Sequence, residues 1–191
     1  MENRKTIPFS PPDIGEDEIN EVVDTLRSGW ITTGPKVKKL EKEVANRCGT
    51  NKAVCLNSQT ACAEMTLRVL GIGVGDEVIV PAYTYTASAS VIEHVGATIV
   101  MIDCEKGKFT MDYDKLESAI TEKTKVIIPV DLFGIPCDYE RIFEIVEKKK
   151  GLFRAGENKI QKALNRIVVM DDGAHSFGAT YKGKPVAQYP D

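Results

Sequence analysis

The sequence predicts an α/β fold: a mostly parallel sheet with helices on both faces. Short apolar runs, "EVIV" (77–80), "TIVMI" (98–102), "KVIIPV" (125–130) and "IVVM" (167–170), alternate with stretches of helical periodicity. The runs are nearly continuous in hydrophobicity, which is the pattern of strands covered on both faces. Directly after them stand "PAYTYTAS", "PVDLFG" and "DDGAHS", which hold much of the chain's unusual polar and aromatic content. In open parallel sheets ligands bind beyond the carboxyl ends of the strands, so these segments are where function is expected.

The elements follow in order. "IPFSPPDIG" (7–15) is proline-rich and reads as an extended lead-in. Ile19, Val22, Val23 and Leu26 then recur at helical spacing, and "SG" supplies a stop. After the loop "GWITTGP", Pro35 opens a second helix whose face is Val37, Leu40, Val44 and Cys48, ended by Gly49. Residues 1–50 are thus expected to form an N-terminal extended segment and two helices, and 51–191 the α/β part. There the order is strand "AVCL" (53–56), helix 60–70, strand 77–80, helix 84–94, strand 98–102, helix 114–120, strand 125–130, helix 138–149 and strand 167–170. "EKKKGLFRAGENKIQKALN" reads as a polar extension of the last helix and its connection. "ATYKGKPV" reads as a hairpin turning at Lys182 and Gly183, with Lys182 and Lys184 facing solvent.

Bulk properties exclude several classes. A chain of 191 residues that is 42% hydrophobic and 28% charged can build a globular core. The net charge of −3 gives no basic surface, so nucleic acid is not an expected partner. No run is long and apolar enough for a membrane span, and "MENRKTIPFSPPD" lacks the apolar centre of a signal peptide, which points to a cytoplasmic protein without a membrane partner. Cys48, Cys55, Cys62, Cys104 and Cys137 are odd in number and form no CxxC pair, so reduced thiols are expected. With only His94 and His175 beside them, no metal site is expected, and His94 stays outside the site.

The strand ends carry the chemistry. In "CLNSQTACAEM" a polar turn opens a helix, so the first amides and the hydroxyls of Ser58 and Thr60 suit an anion such as phosphate; an ordinary helix cap explains the same residues. "GIGVGDE" stands after a helix and before a strand, the wrong context for a dinucleotide fingerprint, and reads as a turn. Tyr83 and Tyr85 offer rings to a planar ligand or to packing. In "VVMDDGAHSFGATYKG", Asp171 and Asp172 follow a buried strand, and carboxylates placed there lose hydration unless a cationic group meets them. A phosphate cradle, an aromatic shelf and an aspartate facing a protonated ring nitrogen together describe a site for pyridoxal 5'-phosphate.

Three segments, "IPFSPPDIGEDEINEVVDTLRSGWITTGPKVKKLEKEVA", "LNSQTACAEMTLRVLGIGVGDEVIVPAYTYTASASVIEHVGATIVMID" and "VVMDDGAHSFGATYKGK", resemble the DegT/DnrJ/EryC1/StrS family of pyridoxal phosphate-dependent nucleotide-sugar aminotransferases. The resemblance implies the large domain of a fold-type I transferase, in part. It implies that Ser58, Gln59 and Thr60 hold the cofactor phosphate, that Tyr85 stacks on the pyridine ring, that Asp172 pairs with the ring nitrogen and that His175 lies near the phenolic oxygen. It gives Asp171 a structural role and puts Trp30, Ile31 and Thr32 in a loop near the site's mouth, where Trp30 and Thr32 are candidates to touch substrate.

The implied reaction moves an amino group from a donor such as glutamate to a keto sugar linked to a nucleotide, in a homodimer. Relatives bond the cofactor through a lysine that comes after the segment equivalent to the one ending at Asp191. That lysine is not in the chain, so these 191 residues are expected to be the N-terminal part of such an enzyme and inactive alone. Two other readings stand beside this one: a pyridoxamine phosphate-dependent nucleotide-sugar dehydratase of the same family, and a non-catalytic cofactor-binding remnant.

Overall fold

The structure, a computed structural model, describes residues 7–8 and 11–191. Of the lead-in, Phe9 and Ser10 lie outside the described residues, as do residues 1–6 of the stretch read for a signal peptide; the described part is non-helical. The chain divides into two compact units, one ending at Leu40 and the other running from Glu41 to Asp191.

In the first unit, α1 (Glu16–Ser28) forms over the expected apolar spacing and ends at Gly29, whose φ of 72° supplies the left-handed cap. None of its residues is buried, and Ile19, Val22 and Leu26 are all exposed. α2 (Pro35–Cys48) begins in this unit, where Lys36 Nζ pairs with Asp24 at 2.8 Å.

The second unit holds a four-stranded parallel sheet ordered β2, β1, β3, β4, from β1 (Glu77–Pro81), β2 (Thr98–Ile102), β3 (Thr124–Ile127) and β4 (Val168–Val169). Period-two alternation splits the strands' apolar side chains between two cores. Val78, Val80, Val126 and Val168 pack with Leu67, Val91 and Ile92 of α3 (Gln59–Val69) and α4 (Thr86–His94). Ile79, Ile127 and Val169 pack with Leu116 of α5 (Tyr113–Ala119) and with Tyr139, Ile142 and Ile145 of α6 (Tyr139–Lys148). Full burial of each such side chain contributes about 1.5–3 kcal/mol. The result is the α/β architecture that the continuous apolar runs imply.

Two expectations change. Residues 53–56 are not a strand: Val54 and Leu56 are exposed, and no ladder partner pairs with them among the described residues. The Cys55 N–H donates instead to Glu41 Oε1 at 3.0 Å, a side-chain acceptor in place of a ladder carbonyl. The stretch after α6 is not a plain connection, because α7 (Lys159–Leu164) forms there. Asn158 caps it, accepting from the Ile160 and Gln161 amides, a start signal hidden in a lysine-rich run. The hairpin forms as expected, with β5 (Thr180–Tyr181) and β6 (Lys184–Pro185) joined through Lys182 and Gly183, both at positive φ.

The sheet positions the site by continuing past its assigned strands. Pro129 and Val130 stay buried beyond β3, Val130 bridges Asp172 in parallel register, and the Asp172 N–H donates to Pro129 O at 2.9 Å. At β4's outer side the Asp191 N–H donates to Val169 O at 3.0 Å and Asp191 Oδ2 accepts from the Val169 N–H at 2.9 Å, which closes that edge locally.

Candidate active site

Three chain turns and one helix start meet beyond the carboxyl ends of β1, β3 and β4. Between them is a cavity of about 240 Å³ lined by Gln59, Thr60, Thr84, Tyr85, Ala87, Val130, Leu132, Asp172, Ala174 and His175. Its floor is apolar at Val130 and Leu132, while its polar groups converge from different elements, the usual make-up of a small-molecule site.

At the start of α3, Ser58 is the cap, with φ of −164° and its hydroxyl accepting from the Ala61 N–H at 3.1 Å. The Ser58 carbonyl accepts from the Cys62 N–H at 3.1 Å. The amides of Gln59 and Thr60 precede the first intrahelical bond and have no partner within the helix, and both residues line the cavity. With the positive end of the helix dipole behind them, they are suited to accept an anion.

Asp172 enters from the end of β4 and is 5% exposed. Its Oδ2 accepts from Ser88 Oγ at 2.7 Å and its Oδ1 from the Ala174 N–H at 3.3 Å. Ser88 lies 3.0 Å from Thr84 Oγ1; because its one hydrogen goes to the carboxylate, Thr84 donates to Ser88, and a relay runs Thr84 to Ser88 to Asp172. Tyr85, the residue before α4, leaves its ring exposed at the rim. His175 is held through Nδ1, which lies 3.2 Å from the Phe133 backbone nitrogen.

Successive strand residues face opposite ways, so Asp171 points away from the cavity. It meets Asp131, which is fully buried, together with Tyr139 and Ser176. Asp131 Oδ1 accepts from the Cys137 N–H at 2.7 Å, but Asp131 Oδ2, Asp171 Oδ1, Tyr139 Oη and Ser176 Oγ close no hydrogen bond of normal geometry. Burial, then the charge of Asp131, push the Asp171 carboxyl up to about 7. Burial likewise raises Asp131, the Cys137 thiol and the Tyr139 hydroxyl above their ordinary ranges.

Of the residues expected from the sequence, Gln59, Thr60, Tyr85, Asp172 and His175 come together around one cavity. Ser58 does not line it, since its hydroxyl is used as the helix cap. Trp30 and Thr32 lie in the first unit, where they line a groove with Asp24, Ser28 and Lys36. Lys182 pairs with Glu140, Lys184 is exposed, and neither lines the cavity. His94 pairs through Nδ1 with Glu64 at 2.9 Å, on the far end of α4 from Tyr85. Sequence reasoning missed Ser88, Thr84 and Leu132. Ser88 sits one turn after Tyr85 inside "TASAS", and the only available signal was a hydroxyl in the first turn of a helix that follows a strand.

The chain is similar to known proteins along nearly all of its length. It is 39% identical over 182 residues to the UDP-4-amino-4-deoxy-L-arabinose–oxoglutarate aminotransferase of Shewanella sediminis, covering 95% of this chain and 43% of that protein. It is 39% identical over 185 residues to the spore coat polysaccharide biosynthesis protein SpsC of Bacillus subtilis, covering 97% and 43%. Among solved structures, Spr1654 of Streptococcus pneumoniae in its PLP form, described as a sugar aminotransferase, superposes with a TM-score of 0.95 at 64% identity, covering 98% of this chain and 47% of that one. The chain therefore spans less than half the length of these relatives. The profile of the DegT/DnrJ/EryC1/StrS aminotransferase family matches residues 12–154, three quarters of the sequence, and the chain belongs to that family.

Proposed function

We propose that this chain supplies the cofactor-binding site of a pyridoxal 5'-phosphate-dependent aminotransferase. The enzyme passes an amino group from a donor such as glutamate to a keto sugar linked to a nucleotide. The observation that carries the reading is Asp172: a buried carboxylate, oriented by Ser88 and turned into a cavity whose other side is a helix N-terminus. An acceptor-only group facing an anion seat across a small cavity fits a ligand with a phosphate at one end and a cationic ring nitrogen at the other. The partners named by the relatives, a UDP-linked amino sugar and oxoglutarate in one case, support the substrate class.

When bound, pyridoxal phosphate supplies an electron-poor ring that takes up the electron pair left when a C–H bond beside the amine nitrogen breaks. The chain's own residues set that ring's properties. The amides of Gln59 and Thr60, with the Thr60 hydroxyl, would take the phosphate. Asp172 would hold a proton at the ring nitrogen, and the relay from Thr84 through Ser88 keeps its carboxylate aimed. Tyr85 would cover one ring face, and His175 would offer a ring N–H to the phenolic oxygen. Leu132 and Val130 give the cavity an apolar lining near Asp172, which strengthens a charge interaction there.

Equilibrium dialysis of the purified chain against pyridoxal phosphate, with pyridoxal lacking the phosphate as comparison, tests the reading. One saturable site per chain is expected for the phosphorylated compound, with binding at least about tenfold weaker for the other, given charge-assisted bonds of about 1.5–3 kcal/mol. Absence of saturable binding would overturn it.

A further inference from the structure

The turn at 131–137 does something the cofactor reading does not require. Its backbone amide at Phe133 lies 3.2 Å from His175 Nδ1. A peptide N–H can only donate, so Nδ1 must present its lone pair, and the neutral ring's single hydrogen is then on Nε2. We infer that Phe133 is a positioning residue for His175: its backbone N–H fixes the imidazole as the Nε2–H tautomer, leaving Nε2–H as the donor of a ring that lines the cavity. What that donor meets rests on the proposed cofactor site; the tautomer itself does not.

Several independent features hold the amide in place. Phe133 has φ of 58° and ψ of 20°, a left-handed conformation that a large side chain adopts only when its surroundings impose it. Those surroundings are explicit. The Gly134 N–H donates to Asp131 O at 3.0 Å, the Ile135 N–H to Leu132 O at 3.1 Å and the Cys137 N–H to Asp131 Oδ1 at 2.7 Å. The Asp131 N–H donates to Asp172 O at 3.3 Å, which ties the turn to the strand end that carries the other site residues. Gly134 follows at φ of 76°, and a Cβ there would lie 3.2 Å from His175 O, so the turn rests directly on the histidine's backbone.

Packing does not explain Phe133. Its side chain is 60% exposed, so burial gives no reason for a phenylalanine in strained backbone. Its ring instead lies nearly parallel to His175, with centroids 6.3 Å apart and planes at 22°. The Phe133 ring also meets Phe109 edge-on, with centroids 5.0 Å apart, and Phe109 stacks with Tyr83 at 5.8 Å. The amide thus sets which nitrogen carries the hydrogen, and the Phe133 ring lies alongside the imidazole.

The chain contains its own control. His94 Nδ1 faces a carboxylate, Glu64 Oε2, which can only accept, so in His94 the hydrogen belongs on Nδ1. Long-range proton–nitrogen correlation on protein labelled with 15N-histidine, at pH 9 without cofactor, reads both rings, and His175→Gln assigns them. Opposite tautomers are expected, Nε2–H at His175 and Nδ1–H at His94.

Phe133→Asn, which tolerates left-handed backbone, should keep the His175 pattern. Phe133→Ile, whose β-branch is expelled from that region, should reduce the tautomer bias by about fivefold or more, the worth of one hydrogen bond. A wild-type His175 bearing its hydrogen on Nδ1 or on both nitrogens in comparable amounts, or an unchanged pattern in a folded Phe133→Ile, would overturn the inference. Failure of pyridoxal phosphate to bind would remove only the cofactor reading and leave the tautomer result standing.

Discussion

Ser88 Oγ lies 2.7 Å from Asp172 Oδ2, a bond between the first turn of α4 and the end of β4 that spans 84 residues. Both groups are buried, so the hydroxyl is the carboxylate's substitute for water on that side. Ser88→Ala removes this donor and strands Thr84, while the Ala174 N–H still holds Asp172 Oδ1. Hydrogen bonds to charged groups are worth about 1.5–3 kcal/mol, so pyridoxal phosphate affinity is expected to fall about tenfold or more. A titration giving the same affinity for Ser88→Ala would show that the relay does not set Asp172.

Asp172 itself is better tested by asparagine than by alanine. Asp172→Asn keeps the shape and can still accept from Ser88, but it removes the charge that keeps a proton on a facing ring nitrogen. The absorption of bound cofactor is expected to move to shorter wavelength, with affinity lower by about tenfold. An unshifted spectrum in Asp172→Asn would place the ring nitrogen elsewhere.

The features that could be read in the sequence were those written in side-chain type. Val78, Ile79 and Val80 announce a strand buried on both faces, and Asp172 and His175 are conspicuous because they follow such a strand. Residues 53–56 look like a strand by the same criterion, yet a strand is completed by its ladder neighbour, and here the Cys55 amide goes to Glu41. Ser88 was hidden because "TASAS" does not say which hydroxyl turns toward the sheet. Phe133 was hidden more deeply: it acts through a backbone amide, and every non-proline residue has one.

Gln161 shows what else a polar run can conceal. It is 2% exposed within α7, its Nε2 donates to Leu70 O at 2.7 Å and its Oε1 accepts from the Gly156 N–H at 2.9 Å. Gln161→Leu fills the same space but leaves a carbonyl and an amide without partners. Each costs about 1–3 kcal/mol, so a loss of about 2–6 kcal/mol in urea unfolding is expected. A midpoint unchanged from wild type would mean that water replaces both bonds.

The Asp131 and Asp171 pair gives the chain a pH dependence of defined sign. Asp171 faces Asp131 and Tyr139, the charge of Asp172 adds to the same upward push from the other side of the strand, and no cation is among the groups that shift it. Its carboxyl is pushed up to about 7, by burial first and the Asp131 charge second, whereas in the unfolded chain it titrates near 3.9. Between those values the native state binds a proton that the unfolded state has released, so stability falls as pH rises from about 4 to about 7 and stays lower above that. Asp171→Asn keeps the neutral shape without the titration. It is expected to flatten this slope and to be more stable than wild type at pH 8, by an amount on the order of a few kcal/mol, while the two converge near pH 4. Urea midpoints at pH 4, 6 and 8 read the difference directly. A wild-type chain that gains stability from pH 4 to 7 relative to Asp171→Asn would mean that Asp171 is ionised and held by a cation rather than protonated.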